Sequence, residues 1–200
     1  MKDSEQEYSA EAEACLERGE ELSDDEDYEG AIRECSKAIA LEPDYTEAYS
    51  LRGYSYYMQD DFDSAIKDYT KAIGLDDDDE DSYLGRGLCY VDKENYTDAI
   101  KDFSQAIKIN GTEYRYYENR GFSYVANKNY DAAVSDFTHA IEMCGAEGDV
   151  SNKDRALLSS YRGFAYAFLE NIEMARADFE QAVALDPNNK QYRKNLKKCS

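Results

Sequence analysis

The sequence predicts an all-α fold, an α-α superhelix of five antiparallel helix hairpins closed by a C-terminal capping helix, and three observations predict it. First, Arg-Gly recurs at Arg18-Gly19, Arg52-Gly53, Arg86-Gly87 and Arg120-Gly121, each 34 residues after the last, and again at Arg162-Gly163 after 42. A fixed period of this size marks stacked supersecondary units. Second, other columns keep step with the Gly. Tyr56, Tyr90, Tyr124 or Tyr166 follows by three residues, Ala31, Ala65, Ala99, Ala133 or Ala175 by twelve, and Cys35, Tyr69, Phe103, Phe137 or Phe179 four further on. Spacings of three and four give each half-repeat one apolar stripe on a helix. Third, short polar turns such as Gln59-Asp60-Asp61 and Asn127-Lys128-Asn129 divide the halves, as a hairpin requires and one long helix does not.

The elements follow in order. Ser4-Glu5-Gln6-Glu7 is a capping-box pattern, so residues 1–11 read as an N-terminal helix extension beginning near residue 5. Repeats fall at 12–45, 46–79, 80–113, 114–147 and 156–189, with an insertion at 148–155. Gly145 to Ser151 reads as a loop, and Ser151-x-x-Asp154 as the start of a lengthened helix. Small residues such as Gly53 and Ala65 let two helices approach while Tyr56 and Tyr69 fill the space around the crossing. Residues 190–200 form the cap that a solenoid needs, with Tyr192 and Leu196 over the last hairpin and five basic residues suited to a helix C-terminus. An acid also precedes the second-helix aromatic in every repeat: Glu34, Asp68, Asp102, Asp136 and Asp178. The Arg column is expected to pair with it, on the same hairpin or the adjoining one.

The stretch Tyr49-x2-Arg52-Gly53-x2-Tyr56 followed by Ala65-x3-Tyr69 resembles the tetratricopeptide repeat. Arg stands for the usual Leu before Gly, Tyr for Trp, and the closing Pro survives only as Pro43 and Pro187. The resemblance implies a non-enzymatic scaffold or adaptor whose first helices line a groove for a peptide or partner helix. Carried over residue by residue, the groove positions are Leu16, Glu20, Glu47, Tyr54, Tyr57, Met58, Asp81, Leu84, Leu88, Val91 and Asp92, then Glu118, Phe122, Val125, Leu157, Phe164, Ala167 and Phe168. They describe an apolar, partly aromatic floor with acids concentrated in the first three repeats. The competing reading is that these side chains only pack against neighbouring helices. The carboxylate clamp of the chaperone-tail adaptors is not expected, because Leu16, Glu20, Leu84 and Leu88 stand where its Lys, Asn and Arg belong and only Asn119-Arg120 matches in part.

Composition narrows the partner. The 200 residues carry 44 acids against 23 bases, a net charge of −21. Residues 190–200 contribute five bases and no acid, so the first 189 hold 18 bases against 44 acids, a net −26. Such a surface excludes nucleic acid and anionic membrane as partners, since both demand basic groups that displace counterions. It suits a protein or peptide with apolar anchors and basic flanks. Two alternatives follow from the same charges: self-association through the basic C-terminal helix and an acidic groove, or chaperone-like masking of a basic, apolar client. The start lacks the blocks of a signal peptide, and five cysteines without a CxxC pair suit reduced thiols in the cytoplasm.

Other signals are read as structural. The run Asp76 to Asp81 is expected to be a solvated turn, and Asp25-x-Asp27-x-Glu29-Gly30 lacks the final Glu of a calcium loop. His139 is placed on an outer surface, Cys15 and Cys35 in core columns, and Cys144 and Cys199 at exposed positions. No nucleophile-base pair, phosphate loop or carboxylate cleft appears, so neither enzyme activity nor a cofactor or metal is expected.

Overall fold

The structure is a computed structural model that describes residues 8–146 and 151–199, the side chains of 145 and 146 left aside. Its described residues form helices and turns without a strand, and the chain divides into two compact units, Met1–Asn95 and Tyr96–Ser200. The first unit holds α1 (Ala10–Asp24), α2 (Tyr28–Leu41), α3 (Thr46–Met58), α4 (Phe62–Leu75) and α5 (Glu80–Asp92). Each packs on the next, and α3 also touches α5. The second unit holds α6 (Tyr96–Ile109), α7 (Tyr114–Ala126), α8 (Tyr130–Ala146), α9 (Asn152–Phe168), α10 (Ile172–Leu185) and α11 (Lys190–Lys198). Consecutive helices again pack together, and α7 touches α9.

The turn inside each repeat has one construction. The residues at its centre, Glu26, Asp60, Glu94, Lys128 and Glu170, are non-glycine residues in the left-handed region, with φ between 57° and 62°. The Schellman pattern is complete at the first: Asp27 N–H reaches back to Leu22 O at 2.8 Å and Glu26 N–H to Ser23 O at 3.0 Å. The residue that closes the outgoing helix then starts the next. Asp27 accepts from Gly30 N–H at 2.9 Å, Asp61 from Ser64 N–H at 3.2 Å, and Asn171 from Met174 N–H at 3.3 Å. A three-residue polar turn therefore suffices, because one Asp or Asn side chain satisfies donors that would otherwise be orphaned.

Packing inside the hairpin explains the Gly and aromatic columns. A Cβ on Gly121 would lie 2.8 Å from the Phe137 ring, so the absence of a side chain there lets α7 and α8 close on a ring that is fully buried. Tyr69 and Phe179 repeat this arrangement against Gly53 and Gly163.

The Arg column forms a clip that spans two repeats. Arg52 donates through Nε and Nη2 to Asp68 at 2.6 and 2.9 Å, and through Nη1 to Ser36 Oγ on the preceding hairpin at 3.0 Å. Arg120 grips Asp136 at 2.8 Å twice and Ser104 Oγ at 3.1 Å; Arg162 grips Asp178 and Thr138 in the same way. Burial alone would lower the pKa of these guanidiniums, but the hydrogen bonds and charge of the Asp carboxylates outweigh it and hold all three above the usual Arg value. The expected pairing is thus present on the same hairpin. In the first repeat it is absent: Arg18 is exposed, and Glu34 pairs with Lys37 at 2.7 Å.

Several expectations are corrected. The first helix begins at Ala10 with Ser9 as its N-cap rather than near residue 5, and the 4–7 capping box lies outside the described residues. Gly145 and Ala146 end α8 instead of opening a loop. Ser151 does cap α9, accepting from Asp154 N–H at 3.3 Å, and α8 and α9 are each 17 residues long, so the extra residues mostly lengthen two helices. Leu16 lies in the core rather than in a groove, because α2 and α3 close over it with Cys35 and Ala48. Cys144 is buried beneath α9, not exposed, since the lengthened helix covers it with Leu158. On α11 Tyr192 is buried as expected and Leu196 half-buried, and Asn195 is buried beside them.

Candidate functional site

One groove of about 650 Å³ opens in the first unit between α3 and α5. The α3 face supplies Glu47, Ser50, Leu51, Tyr54 and Tyr57, at spacings of three and one that keep them on one side of the helix. From α5 come Leu84, Gly85 and Leu88 on the floor with Glu80 and Asp81 at the rim, while Tyr69 of α4 lies beneath. The α4–α5 turn adds Asp76, Asp78 and Asp79. The result is a mainly apolar trough edged by six acids.

The rim is anchored. Asp79 is the N-cap of α5, accepting from Ser82 N–H at 3.0 Å, and its second oxygen accepts from Ser50 Oγ at 2.9 Å. Ser50 and Ser82 hydroxyls meet at 2.6 Å. These bonds fasten the turn to α3, so the run Asp76 to Asp81 is partly a capping device rather than only a solvated turn. Glu80 and Asp81 in the first turn of α5 also gain from its positive end. Asp81 is nonetheless held above the ordinary carboxyl range, by burial first and then by the charges of Glu80 and Asp79. A cation at the rim would relieve that repulsion. Tyr57 is pushed up to about 12 by burial and then by the Asp92 carboxylate near the end of α5.

The column two residues before the repeat Gly differs between the two units. In it stand Glu17, Leu51, Gly85, Asn119 and Tyr161. In the second unit the Tyr161 ring fills the space beside the preceding hairpin, 4.1 Å from Phe122 and 5.9 Å from Phe137. In the first unit Tyr54 and Tyr69 occupy the columns of Phe122 and Phe137, but Gly85 offers no side chain. Tyr69 leans into the vacated place: a Cβ on Gly85 would overlap its ring and come within 2.6 Å of its hydroxyl oxygen. Tyr54 stays 43% exposed.

The groove therefore brings together Glu47, Tyr54, Tyr57, Asp81, Leu84 and Leu88 from the sequence-derived set. Glu20, Met58, Val91 and Asp92 do not line the groove, although the Asp92 carboxylate acts on Tyr57. In the second unit Phe122 and Val125 pack on the Phe137 cluster, and Phe164 stands edge-on to Phe179 at 5.2 Å. Phe168 is stacked on Tyr130 at 4.7 Å yet 58% exposed, and Glu118 is half-buried and held above the usual Glu value, by burial first and then by Asp154. Sequence reasoning missed Gly85, Ser50 and Tyr69 as groove residues. The column that holds Gly85 also holds Glu17, Leu51, Asn119 and Tyr161, so nothing in the sequence marked it.

Models of the tetratricopeptide repeat match residues 46–79, 80–112, 114–146 and 156–189, and a further TPR repeat model matches 19–60. The chain belongs to the tetratricopeptide repeat family. Among solved structures, the TPR protein YrrB, described as having an unusual peptide-binding site, is 21% identical with a TM-score of 0.80, covering 94% of this chain and 92% of its own. MamA from Desulfovibrio magneticus RS-1 (residue 41 to the end) is 14% identical with a TM-score of 0.81, over 92% of this chain and 99% of its own. The C-terminal part of a TPR protein from Cytophaga hutchinsonii is 21% identical with a TM-score of 0.78, over 94% and 74%. Identities this low carry the fold alone. Comparison with curated proteins finds no matching relative.

Within this TPR chain the carboxylate clamp has no basis. Arg120, the residue closest to that pattern, is spent on Asp136 and Ser104, and Asn119 donates to Arg115 O at 2.8 Å. Among the described residues no group of three or more His, Cys, Asp or Glu is placed to hold a metal ion, and no helix is long and apolar enough to cross a membrane.

Proposed function

We propose that this TPR protein is an adaptor whose first-unit groove holds a segment of another protein, apolar at its centre and basic at its edges. The observation that carries the reading is the open trough of Tyr54, Leu84 and Leu88 beneath an acidic rim, in a fold that serves protein-protein interaction. YrrB, a structural neighbour described as having a peptide-binding site, supports the mode of action. Each apolar anchor that leaves water contributes about 1.5–3 kcal/mol, whereas the rim charges chiefly speed and select the encounter. The cysteines, all free, suit a reducing compartment such as the cytoplasm; burial pushes the Cys35 and Cys89 thiols up to about 12, which keeps them unreactive.

The test compares wild type with Tyr54→Ala/Leu88→Ala in a pull-down, with circular dichroism to verify folding. The reading expects the partner to be lost from the double variant; a partner retained equally by both overturns it. A second reading, self-association, is favoured by the basic face of α11, where Lys190, Arg193, Lys194 and Lys197 lie together. It requires oligomers that dissociate as salt rises, read by light scattering.

A further inference from the structure

We infer that Asn110 is a site of spontaneous covalent modification, at which the Gly111 backbone nitrogen attacks the Asn110 side-chain amide and water opens the product to aspartate or isoaspartate. The site lies in the α6–α7 turn of the second unit and does not depend on the groove reading above.

The sequence singles out the pair. Of ten asparagines only Asn110 precedes glycine; Tyr, Arg, Lys, Ile, Asn or Leu follows each of the others. A side chain on the following residue crowds ring closure at that residue's nitrogen, and glycine has none.

The turn shows that this nitrogen is available. Four turns between repeats are built alike, and their first residues are Glu42, Asp76, Asn110 and Asp186. Each donates its N–H to the carbonyl four residues back, at 2.8 to 3.0 Å. The second residues are Pro43, Asp77, Gly111 and Pro187. Tyr117 Oη donates to Gly111 O at 3.5 Å as Tyr49 Oη does to Pro43 O at 3.3 Å, so these two turns are also fastened alike. Proline builds this turn without an N–H, so the turn does not need the Gly111 N–H to hold its shape.

The amide is also held for attack. Asn110 Oδ1 accepts from Thr112 N–H at 3.2 Å and from Thr112 Oγ1 at 2.7 Å. An N–H can bond only the amide oxygen, which fixes the orientation of the group. Gly111 and Thr112 are exposed, so hydroxide and water reach the turn. Hydroxide takes the Gly111 amide proton, the nitrogen bonds to Cγ, and the carbonyl electron pair moves to Oδ1, where the two Thr112 donors meet the growing charge. The pair then returns, the Cγ–Nδ2 bond breaks, and the nitrogen leaves as ammonia with a proton from water. The five-membered succinimide adds one water. Opening at Cγ gives aspartate, and opening at the backbone carbonyl gives isoaspartate. The aspartate product has a precedent in the chain: Asp76 accepts from Asp78 N–H at 3.1 Å in the equivalent turn. It therefore keeps the fold and adds one negative charge, whereas isoaspartate lengthens the backbone by one carbon and disrupts the turn.

The experiment holds the purified full chain at mildly alkaline pH and body temperature and follows its tryptic peptides by mass spectrometry. Peptide 109–115 should lose its amide before any peptide carrying another asparagine, and faster as pH rises. Gly111→Pro, which copies Pro43 and Pro187, should abolish the loss. Should that variant misfold, Gly111→Asp, which copies Asp77, should slow it sharply. Thr112→Val should slow it by about three- to tenfold, the worth of one hydrogen bond to the developing oxyanion. Loss spread evenly over the asparagines, or undiminished in the Gly111 variants, overturns the site. Loss as fast or faster in Thr112→Val overturns the part assigned to Thr112.

Discussion

At the scale of single residues, the molecule is governed by small exceptions to otherwise repeated columns. Arg120 and Asp136 are side chains with little exposure, joined by two short bonds, so removing either leaves a charge without its partner. Arg120→Met should cost about 3–5 kcal/mol in urea unfolding, and adding Asp136→Leu should recover much of it. Additive losses would remove the clip as a structural device. The centre of each turn allows the opposite experiment. Lys128 holds φ at 62°, a conformation that glycine adopts without steric cost, so Lys128→Gly should raise stability by about 0.5–1 kcal/mol although Gly usually lowers it. The hydroxyl that receives the Arg, at Ser36, Thr70, Ser104 or Thr138, lies two residues after each acid and shares its period. It was visible in the sequence but carries meaning only once Arg is known to reach the preceding hairpin.

At the scale of elements, helix number, spacing and turn position were legible because each depends on local rules: apolar periodicity, a polar turn and small residues at a crossing. What was not legible depends on contacts between helices far apart in sequence. The floor column Tyr54, Leu88, Phe122 and Phe164 reads alike throughout, yet Phe122 is covered by Tyr161 while Tyr54 is exposed at the groove. Likewise the α8 and α9 extensions absorb most of an insertion that looked like a loop. On α7, Glu118 offers a test of burial. Its folded-state value is raised, so its stabilising contribution is complete below the ordinary Glu range and is lost as pH rises through the folded value. At pH 7 the ionised form therefore opposes folding, and Glu118→Gln should be the more stable protein there, with the gap closing by about pH 4. A constant gap between pH 7 and pH 4 would show that Glu118 ionisation is not linked to folding.

For the whole molecule, the net charge of −21 at first only excluded partners. The structure gives part of it a place: six acids edge one apolar groove in the first unit, and Asp79 is fastened there by α3 and α5. Binding of a basic segment should therefore weaken as salt rises past a Debye length of about 8 Å, and apolar contacts should keep it from vanishing. The most direct test of the groove is an amide-resolved NMR titration of the full chain with a lysine-flanked Phe peptide. Chemical-shift changes should concentrate between residues 46 and 88. Changes confined to 114–168, where the aromatic column is already filled, would contradict the groove reading.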